Sequence, residues 1–105
     1  MHINEIILVG ELVRPAEIAY GETGQPIVSA TLCIREISGD KVFKTSIPVE
    51  VWGKAAETMR EAAAGQLVLV RGKLSFRKRG EKPELAVVSW SVQVAPGTPG
   101  VGTGR

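Results

Sequence analysis

The sequence predicts an all-β protein, a five-stranded barrel with one short α-helix between strands 3 and 4. Three observations predict it. Most of the chain alternates apolar and polar residues with a period of two, which is typical of strands that bury one face. Turn residues interrupt the alternation, and only one segment has the period of a helix. The 105 residues are enough for one domain with its own hydrophobic core.

Three strands precede the helix. The first runs over residues 3–13 and ends before Pro15. The second follows a turn at residues 21–26, and the third follows the turn at Gly39-Asp40. The residues of these strands that we expect to face the core are Ile6, Leu8, Gly10, Leu12, Val28, Ala30, Leu32, Ile34, Ile47, Val49 and Val51.

The helix is predicted over residues 54–64, KAAETMREAAA, where Met59 and several alanines share one face. Gly65 stands where a glycine often follows a helix. The apolar stripe consists of Ala55, Met59 and Ala62 or Ala63. The segments QLVLVRGKLSF and ELAVVSWSVQV then form a last hairpin. Three strands, a helix and two further strands are the order of an OB-fold barrel.

Composition sets the expected boundaries and compartment. We expect the OB-fold domain over residues 1–95 and a disordered, Gly/Pro-rich tail over residues 96–105. Cys33 is the single cysteine, which fits a reducing, cytoplasmic compartment. No apolar run approaches the ~20 residues that span a bilayer. The N-terminal segment lacks the cationic region of a signal peptide.

A basic segment stands out against a nearly balanced chain. The net charge of the whole chain is only +2, yet RGKLSFRKRGEK, residues 71–82, contains six basic residues and one acid. Such a segment is either the electrostatic footprint of an anionic polymer or a solvated hairpin, and charge alone leaves both open. The basic residues are Arg71, Lys73, Arg77, Lys78, Arg79 and Lys82.

Trp52 lies on the polar side of its strand. Val49 and Val51 face the core, so Trp52 shares the opposite face with Pro48 and Glu50. A large ring in that position either meets a ligand or is covered by a loop or a neighbouring subunit.

Two other aromatic residues are expected to be covered. Trp90 shares the parity of Val88 and Val92, which predicts the barrel core or a subunit contact. Phe76 alternates with Val70, which favours the core over a stacking role.

No residue pattern supports catalysis or a bound metal. His2 is the single histidine, and neither His2 nor Cys33 has a second ligand at a metal-binding spacing. Paired carboxylates, a Ser/His/Asp set and a phosphate-binding loop are not found in the sequence. We therefore expect a binding protein without a cofactor rather than an enzyme.

Four segments resemble those of bacterial single-stranded DNA-binding proteins: IILVGELVRPAE, TGQPIVSATL, VEVWGKAAETM and AAAGQLVLVRGKL, in that order over roughly residues 3–94. The resemblance implies an OB-fold that binds single-stranded DNA without sequence preference, in DNA replication, repair or recombination. It implies that a base stacks on Trp52 and that Lys54 and Arg77 match basic positions of the family. The candidate nucleic-acid-binding residues are Trp52, Lys54, Lys44, Arg35, Arg71, Lys73, Arg77, Lys78, Arg79 and Lys82.

The sequence also departs from this family. Ser46, Arg79 and the pair Ile37-Ser38 stand where further stacking tryptophans are expected, so affinity should rest more on charge and depend more on salt. Family members commonly end in an acidic tail that recruits proteins, whereas residues 95–105 contain no acid. Either the sequence is shortened, or it is a specialised or mobile-element member that does not recruit partners through such a tail.

The resemblance implies partners as well. These are single-stranded DNA, further copies of the chain as a homotetramer or, second, a dimer, and replication or repair proteins; a membrane is not among them. The alternative function is an OB-fold adaptor of the primosomal type, which acts mainly through protein contacts. The missing aromatic residues and the missing acidic tail both favour that alternative.

Overall fold

The computed structural model describes residues 1–95, except for the side chains of Lys78 and Arg79. The predicted tail, residues 96–105, lies outside the described residues and stays a prediction. Within residues 1–95 no helix is long and apolar enough to cross a membrane. The elements are β1 (Ile6–Leu12), β2 (Glu17–Tyr20), β3 (Pro26–Ser38), β4 (Lys41–Trp52), α1 (Lys54–Arg60), β5 (Leu67–Arg79) and β6 (Lys82–Val94).

The strands form a closed barrel. Their order in the sheet is β1-β5-β6-β4-β3-β2, and β1 also pairs with β3 at Glu11↔Cys33 and Leu12↔Leu32, which closes the sheet on itself. The β4–β6 pair is parallel, and the other pairs are antiparallel. Five strands make the barrel, α1 lies between the third and fourth of them, and the short β2 pairs with β3. The predicted OB-fold is confirmed.

The core consists of the inward faces of the barrel strands and one face of the helix. Most of the predicted inward residues of β1, β3 and β4 are in it or pack against it. Full burial of one Val or Leu side chain contributes about 1.5–3 kcal/mol relative to leaving it exposed. The core residues are Leu12, Val28, Leu32, Val49, Val51, Ala56, Met59, Ala62, Val68, Val70 and Val87.

The helix is shorter than predicted. It ends at Arg60, and the amides of Glu61 and Ala62 bond to the carbonyls three residues before them, which tightens the last turn. The chain then turns at Gly65, whose φ is +89°, and the amide of Gly65 donates to the carbonyl of Leu12 at 2.8 Å. This contact with the end of β1 stops the helix early. As a result the buried stripe is Ala56, Met59 and Ala62, not the predicted stripe that begins at Ala55.

The hairpin of β5 and β6 extends past the barrel. Val70 is fully buried, whereas Phe76 is 72% exposed on the same face of β5. Leu74 and Leu85 beside it are also exposed, and Phe76 pairs with Leu85. The prediction that Phe76 lies in the core is therefore wrong. Its alternation is as expected, but the strand continues beyond the residues that could cover it.

A β-bulge interrupts β6 at Trp90. Arg71 pairs with Ser91 and Gly72 pairs with Ser89, so Trp90 has no partner in the register. The buried hydroxyl of Ser89 donates to the carbonyl of Arg71 at 2.7 Å and accepts from the amide of Ser91 at 3.0 Å. A Cβ at Gly72 would overlap the carbonyl oxygen of Val88, so this approach of the two strands requires glycine.

The bulge changes which residues of β6 face inward. Before it Val87 and Ser89 pair with the inward-facing Val49 and Val51, and after it Val92 and Val94 pack against the core. The extra residue, Trp90, is 58% exposed. The prediction that Trp90 lies in the barrel core is wrong because it assumed one unbroken alternation. The other alternative, a subunit contact, stays a prediction.

Candidate nucleic-acid interface

The outer face of β3 and β4 is the part of the barrel that places Trp52. The pairs Ser29↔Glu50 and Ile27↔Trp52 put these residues on the side of the sheet opposite the buried Val49 and Val51. In OB-folds the second and third barrel strands form the surface that binds oligonucleotides. Here those two strands are β3 and β4.

Trp52 is the last residue of β4 and is partly buried. Gly53, with φ +69°, then turns the chain into α1, so the indole lies at the junction of strand and helix. The indole Nε1 donates to Oε1 of Glu50 at 2.7 Å. A neighbouring side chain on the same face therefore fixes the direction of the ring. The predicted outward orientation of Trp52 is confirmed.

Glu50 also contacts Arg77 from the neighbouring hairpin. Oε2 of Glu50 lies 3.4 Å from Nη1 of Arg77, and Oε1 of Glu84 lies 2.9 Å from Nη2. The side chain of Arg77 is only 18% exposed. The predicted phosphate contact Arg77 thus lies on the same surface as Trp52, but in this structure its guanidinium is held by two carboxylates.

A polar cleft opens beside this network. Its volume is about 410 Å³, and it lies between the β1–β2 connection, the outer face of β3 and the Glu50–Arg77 pair. Hydroxyls, carboxylates and guanidinium groups face it, which suits hydrogen bonding to sugars, phosphates or base edges. The lining residues are Arg14, Pro15, Glu17, Ser29, Ala30, Thr31, Glu50 and Arg77.

The sequence analysis missed a second exposed tryptophan, Trp90. The Nζ atom of Lys73 lies 5.6 Å from the centroid of the Trp90 ring, which is within the range of a cation–π interaction. Gly72 could have revealed this exposed position from the sequence, because a glycine inside a strand often marks a bulge or a close approach of two backbones.

The remaining candidate residues are spread over the surface. Arg35 contacts Glu11 at 2.8 Å, and Lys44 pairs with Arg35 in the register and is exposed. Both lie on the β3–β4 hairpin, which also carries Trp52 at its other end.

Arg71 lies on the side of the barrel formed by β1 and β5, where it contacts Glu5 at 3.3 Å. Lys54 begins α1 directly after Gly53 and is exposed. Lys82 begins β6 and is exposed. Lys78 and Arg79 lie in β5, and their side chains are outside the description. The structure therefore places Lys54, Arg77 and Lys73 near Trp52, whereas Arg71, two residues before Lys73 on the same face of β5, contacts Glu5.

No group of three His, Cys, Asp or Glu side chains within residues 1–95 could hold a metal ion.

Comparison with known proteins identifies the family. The family model described as the single-strand binding protein family matches residues 3–95. Single-stranded DNA-binding protein 1 of Synechocystis sp. is 32% identical over 78 residues, which cover 72% of this chain and 64% of that protein. Single-stranded DNA-binding protein 2 of Clostridium acetobutylicum is 33% identical over 89 residues, which cover 76% and 63%.

The single-stranded DNA-binding protein of Thermotoga maritima is 31% identical over 86 residues, which cover 71% of this chain and 57% of that protein. The chain thus spans less than two thirds of the length of each of these relatives. The resemblance found in the four sequence segments is confirmed, and this chain belongs to the single-strand binding protein family.

Proposed function

We propose that this chain binds single-stranded DNA without sequence preference on the outer face of β3 and β4, and protects it during replication, repair or recombination. The observation that carries the proposal is Trp52, an aromatic ring fixed on the polar face of a barrel strand by its hydrogen bond to Glu50. Stacking of a base on an aromatic side chain is worth ~1–3 kcal/mol and tolerates any sequence, because every base has a π-face. Membership of the single-strand binding protein family agrees with this function.

Basic side chains around Trp52 are proposed to follow the phosphates. Lys54 begins the helix beside it, Lys73 lies on the adjacent hairpin, and Arg35 and Lys44 lie further along β3 and β4. In the free chain Arg35 forms a salt bridge with Glu11, and Arg77 forms one with Glu50. A phosphate that binds either arginine therefore has to replace a carboxylate. We extend the proposed path along the hairpin to Lys78, Arg79 and Lys82 on the strength of their charge alone.

The proposal includes self-association, as a homotetramer first and a dimer second. Ile7 and Val9 of β1 are 58% and 53% exposed on the face away from the core, and Val9 pairs with Leu69 of β5. An exposed apolar strip on a strand is a surface that a second copy can cover. A binding role in the cytoplasm, without catalysis, completes the proposal, and the single Cys33 agrees with that compartment.

A second candidate function is the adaptor role, in which protein contacts dominate. The observation that favours it is the projecting hairpin, which exposes Leu74, Phe76 and Leu85 on one face. Apolar side chains grouped on the surface often mark a protein contact.

Titration of labelled oligo-dT and of a duplex of equal length, followed by fluorescence anisotropy, tests the leading function. We expect saturable binding of oligo-dT and much weaker binding of the duplex. Equal affinity for both would contradict the proposal, and the absence of binding to either would favour the adaptor.

A further inference from the structure

We propose that Trp90 is a second base-stacking platform, that Lys73 contacts the phosphate of the nucleotide stacked there, and that Trp52 and Trp90 hold neighbouring bases of one strand. This inference rests on the proposed binding of single-stranded DNA and assigns a further contact within it.

The first step is the direction of the Trp90 side chain. The bulge leaves Trp90 without a partner in β5, and the residue is 58% exposed although Val88 and Val92, two positions away on either side, are apolar. Ser89 is fully buried, and its hydroxyl binds main-chain atoms of Arg71 and Ser91 on both sides of the bulge. The hydrogen-bonded bulge within β6 therefore fixes the outward position of Trp90. Bulges recur at positions where a strand redirects a side chain.

The second step is the position of Trp90 relative to Trp52. β4 and β6 are parallel neighbours, their last paired residues are Val51 and Ser89, and the two tryptophans are the residues that follow. Paired strands lie about 4.7–4.9 Å apart. A Cβ placed on Gly53 would lie 3.9 Å from Cδ1 of Trp90, so this indole reaches the peptide next to Trp52. Two aromatic rings at adjacent positions suit two successive bases.

The third step is the charge over the ring. Nζ of Lys73 lies 5.6 Å from the centroid of Trp90. An ammonium over one face of the indole leaves the other face for a base, and the same ammonium can reach the phosphate of that nucleotide. A nucleotide supplies both an apolar plane and an anion, which this pair of side chains complements.

A second subunit over Trp90 is the competing occupant. It would bury the Lys73 ammonium together with the ring, and burial of a cation is costly unless an anion accompanies it. A phosphate provides that anion. The chemistry of the Lys73–Trp90 pair therefore favours a nucleic acid.

The test uses the fact that the chain contains only two tryptophans. In Trp52→Phe the emission reports Trp90 alone, and the phenyl ring retains a stacking surface at position 52. Labelled oligo-dT is added while its anisotropy and the tryptophan emission are recorded together. We expect the Trp90 emission to be quenched in step with binding, and iodide to quench it less once DNA is bound. Saturated anisotropy with unchanged Trp90 emission would overturn the proposal.

Substitutions give a second readout. Trp90→Ala should weaken oligo-dT binding about 5- to 150-fold, the loss expected for one stacked base, and Lys73→Gln should reduce the salt dependence by about one phosphate contact. Phe43→Ala is the matched control, because Phe43 is a comparably exposed aromatic residue near the start of β4, away from Trp52.

Equal affinities for Trp90→Ala, Phe43→Ala and the unchanged chain would overturn the proposal. The proposal would also be overturned if iodide failed to quench the Trp90 emission of the Trp52→Phe variant in the absence of DNA, because a subunit would then cover the ring. If the unchanged chain binds no oligo-dT at all, the proposed function itself fails, and that result is recognisable before any variant is made.

Discussion

Glu50 accepts a 2.7 Å hydrogen bond from the indole Nε1 of Trp52. Its second carboxylate oxygen lies 3.4 Å from the guanidinium of Arg77, so one acid holds both an aromatic ring and a cation on the outer face of the barrel. Preorganisation of this kind lowers the entropy lost on binding. The same carboxylate, however, repels a phosphate and occupies the arginine that would bind it.

Glu50→Gln should therefore strengthen oligo-dT binding. The amide oxygen can still accept from Trp52, while the charge that opposes phosphate is removed and Arg77 keeps only its contact with Glu84. We expect a gain of about 0.5–1 kcal/mol, or roughly 2- to 5-fold, the size of one partly screened charge interaction. Anisotropy titrations at fixed salt measure it. Glu57→Gln, on the helix surface beside Arg60, is the control and should change nothing. Weaker binding by Glu50→Gln would mean that ordering of Trp52 and Arg77 outweighs repulsion.

Trp52→Ala should weaken oligo-dT binding by ~1–3 kcal/mol, because a stacked base loses its platform. The ring is partly buried and its Nε1 is hydrogen-bonded, so the free energy of unfolding should also fall, by about 1–2 kcal/mol. Titration and denaturant unfolding of the same preparation separate the two effects, and Trp52→Phe should recover most of the affinity. Normal DNA binding combined with dissociation into smaller species would instead assign the ring to a subunit interface and favour the adaptor.

Replacement of Arg77, Lys78 and Arg79 together by Gln should flatten the dependence of log K on log salt. Each phosphate contact that is lost lowers the slope by ~0.7 on a single strand. The slope should fall by up to roughly 2 if all three side chains contact phosphate, and by less if Arg77 stays with its carboxylates. Lys41→Gln, at the start of β4, is the control. A triple variant with the slope of the unchanged chain would move the phosphate path to another part of the barrel.

The chain should assemble as a homotetramer, and the double variant Ile7→Glu, Val9→Glu should be a smaller species. Both side chains are more than half exposed in the single chain, so the substitutions cost the isolated barrel little but place charge in an apolar contact. Light scattering coupled to gel filtration measures the mass. A monomer of the unchanged chain at micromolar concentration would refute the predicted assembly.

Ser89→Ala should destabilise the protein by about 1–2 kcal/mol, because the Ser91 amide and the Arg71 carbonyl lose a buried partner. Ser91→Ala is a control within the same bulge, since Ser91 contributes only main-chain atoms to these bonds and its side chain is exposed. Denaturant unfolding compares the two variants. Equal stabilities would show that the bulge does not depend on the Ser89 hydroxyl.

The fold could be predicted from the sequence because apolar alternation depends on local spacing. Val49 and Val51 face the core and Trp52 faces outward, as the period of two requires. In β6 both parities are apolar, since Val87 and Val88 adjoin each other, so the sequence alone does not reveal where the phase changes. The bulge at Trp90 supplies that change, and it depends on the approach of Gly72 to Val88 across two strands.

The candidate site was predicted less completely, because its contacts join distant parts of the chain. Trp52 was found from its position on one strand. The Glu50–Arg77 pair joins residues 27 positions apart and requires the barrel to close before it exists. Phe76 was misplaced for a related reason: alternation gives the face of a strand but not the point at which the barrel ends.

Photo-cross-linking tests the central claim most directly, namely that a single strand crosses the outer face of β3 and β4 over Trp52. Oligo-dT with iododeoxyuridine at every position is irradiated with the unchanged chain, and the adducts are located by mass spectrometry. The account predicts adducts at Trp52, with further adducts on the adjacent surface of β6. Adducts confined to β1 or to the β1 side of β5, with none at Trp52, would contradict it.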